Sequence, residues 1–107
     1  MSRRLAIFPL SGAILFPRST LPLHIFEPRY RAMIAEVMAR DQRLGMIQPI
    51  GATGSNGDPA ALYSIGCTGR VSEIEAMEDG RFNIILAGES RFRILRELDV
   101  STPFRQV

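Results

Sequence analysis

Few side chains in this chain can make or break bonds, and their types narrow the chemistry at once. His24 is the single histidine and Cys67 the single cysteine. All 13 basic residues are arginine, so no lysine serves a Schiff base, a Ser-Lys dyad or a phosphate-binding loop. The stretch GATGSNGD, residues 51–58, is followed by Pro59 rather than a helix and reads as a surface loop. One histidine and one cysteine cannot complete a zinc site, which takes three or four ligands. His24, between Leu23 and Ile25, reads as a hydrogen-bonded structural histidine. A small hydrolase pairing it with a serine stays open by counting, although no nucleophile elbow is present. Cys67 has no histidine or lysine near it in sequence and reads as a small buried hydrophobe.

Charged residues cluster in the last third. Glu73 and Glu75 share a strand face, and Glu78 and Asp79 follow them. Such a group suits acid–base work or a cation, but its simpler reading is a solvated hairpin tip. Arg81, Arg91, Arg93 and Arg96 come next, and guanidinium forks bind carboxylates and phosphates alike. Strand alternation puts Arg91 and Arg93 on one face and Arg96 on the other, which breaks up a basic stripe. No catalytic, metal or cofactor residue is assigned.

These groups must be held by something, and the pattern describes a mostly β chain with one helix. Residues 4–10 read as a first strand, Ser11-Gly12 as a turn, 13–16 as a short apolar strand limited by Pro17, and 21–26 as another strand. Glu27-Pro28 opens a helix over residues 28–40, because proline suits the first helical position and a carboxylate suits the dipole there. Tyr30, Met33, Ile34, Val37 and Met38 follow at helical spacing. Residues 44–50 form the next strand and 51–61 a loop. Residues 62–77 form one long bent strand with bulges expected at Gly66 and Gly69. Asp79-Gly80 is a hairpin turn. Residues 81–88 and 92–98 then complete a meander. Phe82, Ile84 and Leu86 alternate on one parity and Phe92 and Ile94 share it. A two-residue turn at Glu89-Ser90 would set Leu86 against Arg93. The pattern therefore predicts a bulge or odd-length loop around residues 89–91. Ile85 and Leu95 on the other face imply two packed sheets or a small barrel.

The 107 residues fit one domain, and the net charge is only +2 because 11 acids nearly cancel the arginines. That balance disfavours nucleic acid as a partner. No apolar run approaches the ~20 residues of a membrane helix. The start, SRR before LAIFPLSGAILF, is broken by Pro9, Ser11 and Gly12 and does not read as an export signal. A lone free thiol suits the reducing cytoplasm.

Taken in order, PLHIFEPRYRAMI, RLGMIQP and IGCTGRVSEIEAMEDGRFNIILAGESRFRIL closely resemble the LON domain. This is the N-terminal module of ATP-dependent Lon proteases, which also occurs as a stand-alone bacterial chain. The opening LAIFPLSGAILFPRSTLPLHIFEPRY is similar to the family's first strands. The resemblance implies a PUA-like β pseudo-barrel of two packed sheets with the helix against it. It implies a non-catalytic module that binds unfolded or damaged polypeptides, with no ATPase or peptidase in these residues and no cofactor. Partners so implied are such polypeptides, a protease, or a second copy. The competing function is a PUA-like RNA-binding module. Against the family pattern, the helical segment that follows the β part is absent, as in a truncated or unusually short member, and the apolar surface so exposed would favour association. Candidate peptide contacts are Phe26 and Tyr30 beside the helix start, with Arg29 to anchor carboxylates.

Overall fold

The computed structural model describes residues 4–50 and 61–107. Residues 1–3 and 51–60 lie outside the described residues, and with them nearly all of the loop expected at 51–61. The elements are β1 (Ile7–Pro9), β2 (Thr20–Ile25), α1 (Pro28–Met38), β3 (Arg43–Ile47), β4 (Pro49–Ile50), β5 (Ala61–Leu62), β6 (Ile65–Ala76) and β7 (Phe82–Arg93). Five strands form one sheet in the order β1-β3-β6-β7-β2, and β4 pairs with β5 in a second, two-stranded sheet. The fold is thus mostly β with one helix and two sheets. The larger sheet stays open, with β1 and β2 at its two edges.

The helix starts where proline permits. Pro28 stands at the first position, and the Glu27 carbonyl accepts from Tyr30 and Arg31 N–H at 3.0 and 2.9 Å. Its buried stripe, Tyr30, Met33, Ile34 and Val37, faces Phe8, Ile25, Leu44, Met46, Val71, Ile84 and Leu86 of the sheet. The helix ends at Met38, two residues short of the expected bound. Gln42 takes a positive φ of 62° after it, and its N–H reaches the Val37 carbonyl at 3.0 Å.

The meander expected at the end is a single strand. Residues 82–87 pair with β6 residues 70–76, and residues 90–93 pair with residues 65–68 of the same strand. The parity change between Leu86 and Phe92 is therefore absorbed by a bulge at Glu89 and not by a chain reversal. Ser72 is a second bulge, since Val71 faces Leu86 and Glu73 faces Ile85. Gly69 adjoins a register shift as expected. Gly66 does not; it pairs regularly with Phe92. Residues 13–16 form no strand, and the run 44–50 breaks at Gln48. Both differences share a cause: the Gln48 amide donates to the Ala13 carbonyl at 2.6 Å, which pins that segment against the end of β3. The first strand is likewise shorter: the residues before it are held by the C-terminal arm, and after it the Leu10 N–H donates to the Ile47 carbonyl at 3.2 Å.

The turn at Asp79-Gly80 closes as read, with Gly80 at φ 90° and the Gly80 N–H donating to the Met77 carbonyl at 3.0 Å. Residues 97–107 then fold back across the β1 edge. Leu5 N–H donates to the Val107 carbonyl at 2.9 Å, Ile7 N–H to Arg105 at 3.0 Å, and Val107 N–H to Leu5 at 2.9 Å. Phe104 is buried in the core, and Arg105 holds Glu97 through Nε at 2.9 Å and Nη2 at 2.5 Å.

On the sheet face opposite the helix, β3 and β6 offer glycine. Phe92 lies so close that a Cβ on Gly45 or Gly66 would meet its ring at 2.8 or 2.7 Å. At Gly66 the Cβ would also strike the Met46 carbonyl, which cannot move without disturbing the ladder. Gly66→Ala should therefore cost about 2–3 kcal/mol and Gly45→Ala less, because only side-chain tips must yield there. Urea unfolding of the two variants measures the difference; equal costs would refute the glycine floor.

The arm gives a second prediction. The Arg105 guanidinium holds the Glu97 carboxyl below its ordinary value of 4.5, against the opposing effect of partial burial. A depressed carboxylate adds stability above the unfolded value and loses it as pH falls through the folded one. The pair is 41% exposed at Glu97, so solvent screening limits it to no more than about 1 kcal/mol. Glu97→Gln should lower the urea midpoint at neutral pH, and the gap to the parent should close below pH 4.5.

Candidate functional site

Three expected contacts gather beside the helix start, at two depths. Phe26 is 58% exposed, with its ring stacked 6.0 Å from that of His24. Arg29 is exposed, donates from Nε to Glu27 Oε2 at 3.0 Å, and lies 4.7 Å over the Tyr30 ring. Tyr30 is in the core, its ring 4.2 Å from that of Phe8. Burial pushes its hydroxyl above the usual phenol value, and the Arg29 charge opposes that shift. Tyr30 is thus a floor under Arg29, with its stripe neighbours Met33 and Ile34 beside it in the core.

His24 sits on the outer face of β2, in a row across three strands. Its Nδ1 lies 2.7 Å from Asn83 Oδ1, and Asn83 Nδ2 donates to Glu75 Oε1 at 3.1 Å. A carboxylate only accepts, so the Asn83 amide must face it with nitrogen, and His24 Nδ1 must carry the hydrogen. This is the satisfied structural histidine expected, and its partner is an amide rather than a serine hydroxyl. The acidic group divides. Glu75 serves Asn83, while Asp79 accepts from the Arg81 N–H at 3.1 Å and from Arg81 Nε at 2.6 Å. The backbone N–H of Arg81 is the main reason that the Asp79 carboxyl lies below its ordinary value. Among the described residues, no three metal-ligating side chains converge. Cys67 is buried, and that burial raises its thiol, which makes it floor and not nucleophile.

A groove that the sequence reading did not single out lies at the other end of β2. Segment 13–16 runs past the ends of β3 and β6 and leaves a cleft of about 170 Å³. Ser19 holds the segment, donating from Oγ to the Phe16 carbonyl at 2.7 Å and accepting from the Phe16 N–H at 3.0 Å. Leu15 turns inward and is buried, whereas Ile14 and Phe16 turn out with 60% and 56% of their surface exposed. Ile65 is 49% exposed across the cleft, Met46 and Cys67 line its base, and Arg91 stands at its rim. The sequence shows here only the unbroken apolar run Ala13-Ile14-Leu15-Phe16, in which nothing distinguishes the side chain that turns inward from those that turn out. Such a run before Pro17 has the pattern of a short edge strand, which is the expectation stated above. No helix among the described residues is long and apolar enough to cross a membrane.

What the described residues offer around these sites is apolar surface with arginines beside it. Comparison with known proteins agrees in kind. The family model described as the ATP-dependent protease La (LON) substrate-binding domain matches residues 4–107. Lon protease of Rhizobium meliloti (strain 1021) is 28% identical over 90 residues, which is 84% of this chain and 11% of the relative. Lon protease of Desulfosudis oleivorans is 32% identical over 88 residues, 81% of this chain and again 11% of the relative. The chain thus spans about 11% of the length of these relatives. Among solved structures, a Lon N-terminal domain protein from Xanthomonas campestris matches with a TM-score of 0.74 and 25% identity, covering 98% of this chain and 57% of that one. The N-terminal domain of a Mycobacterium avium complex Lon protease matches with a TM-score of 0.72 at 14% identity, covering 97% and 52%, a likeness of fold alone. With its residues 4–107 matched from the first strand to the C-terminal arm, the chain belongs to the LON substrate-binding domain family.

Proposed function

We propose that this domain is a non-catalytic polypeptide-binding module that holds unfolded or damaged chains, in the cytoplasm and in company with an ATP-dependent protease. The observation that carries the reading is the cleft at segment 13–16. Ile14, Phe16 and Ile65 are large apolar side chains that remain about half or more exposed around one groove. A soluble protein leaves such a cluster uncovered at a cost unless a ligand covers it. Unfolded chains are rich in the apolar side chains that would fill it, and the family's description as substrate-binding supports the same occupant.

Phe26 and Arg29 form an auxiliary contact in this reading. The phenyl ring offers apolar surface, Arg29 a guanidinium for carboxylates, and Tyr30 beneath positions Arg29 by its ring. The two patches lie at opposite ends of β2, a separation of roughly 20 Å at the rise of an extended strand. One extended polypeptide can bridge that span.

The PUA-like RNA-binding alternative meets an electrostatic objection. The arginines are interleaved with carboxylates, as at Arg43–Glu89 (2.6 Å) and Arg81–Asp79 (2.6 Å), so no continuous basic track for a phosphate backbone is formed among the described residues.

Calorimetry with a reduced, carboxymethylated model protein tests the proposal. The parent domain should bind it and leave it intact. Ile14→Asp/Phe16→Asp should weaken binding roughly tenfold or more, because a charge replaces apolar contact at the centre of the groove, while Tm stays unchanged. Phe26→Ala/Arg29→Met should weaken it by a smaller factor. An affinity unaltered by the groove double variant, or cleavage of the model protein by the pure domain, would overturn the reading.

A further inference from the structure

We propose that a second site, on the sheet face opposite the helix, takes an acidic polypeptide segment that carries a large apolar side chain. The cavity there measures about 790 Å³ and lies between the Glu89 bulge and the C-terminal arm. Its charged wall is Arg4, Arg43, Arg93 and Arg96 against Asp41 and Glu89, which leaves two positive charges in excess.

Both carboxylates are already engaged. Glu89 takes Arg43 in a two-pronged contact, Nε to Oε1 at 2.6 Å and Nη2 to Oε2 at 3.3 Å. Asp41 Oδ1 accepts the Arg43 N–H at 3.2 Å. Among the described residues, Arg4, Arg93 and Arg96 have no ion-pair partner. Three unpaired like charges around one concavity repel one another, and a low-dielectric wall strengthens both that repulsion and its relief by an incoming anion. Guanidinium forks match carboxylates in geometry, so paired acidic side chains are the complementary group.

The rest of the wall is apolar. Leu95 is 74% exposed, the highest value among the described large apolar residues, and Leu98 and Phe92 continue that surface inward. An occupant therefore needs an aliphatic or aromatic side chain beside its carboxylates. A nucleic acid fits less well. The one ring in the wall, Phe92, packs over Gly45 and Gly66, whereas stacking of a base needs a free aromatic face.

The site is separate from the groove at segment 13–16, since no residue lines both. It makes the ligand class more specific than "unfolded chain": apolar residues go to the groove, and an acidic-apolar stretch goes here. Fluorescence anisotropy tests this with a labelled extended peptide built around Glu-Leu-Asp, its Gln-Leu-Asn counterpart, and a single-stranded RNA. The acidic peptide should bind, the amide peptide roughly tenfold more weakly, and rising salt should weaken the former only. Arg93→Gln/Arg96→Gln should reproduce the amide loss with Tm unchanged, as both residues are exposed. Ile14→Asp/Phe16→Asp should leave the acidic peptide's affinity as it was. Equal binding of the two peptides would overturn the proposal. So would tight binding of RNA with none of peptide. A third contrary result would be an arginine variant that dissolves a dimer while no peptide binds, because the occupant would then be a second copy. If the groove variant still binds the model protein while the acidic peptide behaves as expected, the groove reading fails and this one stands.

Discussion

The structure depends on what β3 is asked to do. It is paired on both sides, parallel to β1 and antiparallel to β6, and residues Leu44 to Ile47 are all buried. Leu44 and Met46 point to the helix and take its apolar stripe. Gly45 points the other way, and there the chain must still pass Leu5 and the Phe92 ring. A strand covered on both faces cannot carry bulk on both when one cover lies this close, so the outer face is reduced to glycine at Gly45 and at Gly66. Every later feature follows from that close approach. Phe92 can lie flat on the sheet, the arm can cross the β1 edge above it, and the space left between arm and Glu89 bulge becomes the arginine-lined cavity.

The bulges serve the same arrangement. With Glu89 unpaired in the ladder, its carboxylate is free to reach Arg43 on β3, two strands away. The same extra residue shifts parity, so Phe92 lands on the outer face with Gly66 while Arg91 stays opposite Cys67 at the groove. One inserted residue thus sends an aromatic ring to one side of the sheet and a cation to the other. This is the re-aiming that bulges perform beside functional surfaces.

How far this could be read from sequence varied with the range of the interaction. The helix start was legible, because Glu27-Pro28 and the spacing of Tyr30, Met33, Ile34 and Val37 are local signals. Asp79-Gly80 was legible for the same reason, and the irregularity near Glu89 was legible from parity. Whether parity was settled by a turn or a bulge was not. That depends on β6 being long enough to pair with residues on both sides of Glu89, a fact carried about twenty residues away at Thr68 and Gly69. The loss of a strand at 13–16 rests on the Gln48 side chain, which no window on Ala13 contains. Arg93 and Arg96 were placed on opposite faces by alternation. They line one cavity because the strand stops at Arg93 and the chain bends, with the Ile94 N–H tied to the Ser64 carbonyl at 2.8 Å. Among the proposed contacts, Tyr30 was ambiguous by its nature: a residue on the helix's apolar stripe is buried by the rule that makes the helix stable.

The edges of the large sheet decide how a polypeptide would be held. An exposed edge strand invites pairing with another chain, and proteins block such edges with proline or a covering segment. Here β2 carries Pro22 in its middle, at the sheet's edge, where the ladder it would offer lacks a donor. The β1 edge is occupied by residues 105–107, which take up the Leu5 and Ile7 N–H groups. Strand addition is therefore obstructed on both sides, and the proposed binding falls on side-chain surfaces: the groove, the helix start and the arginine cavity. Side-chain contact of this sort reads apolarity and charge rather than a fixed backbone register. That is the kind of recognition a binder of many different unfolded chains requires, since such chains share composition and not sequence.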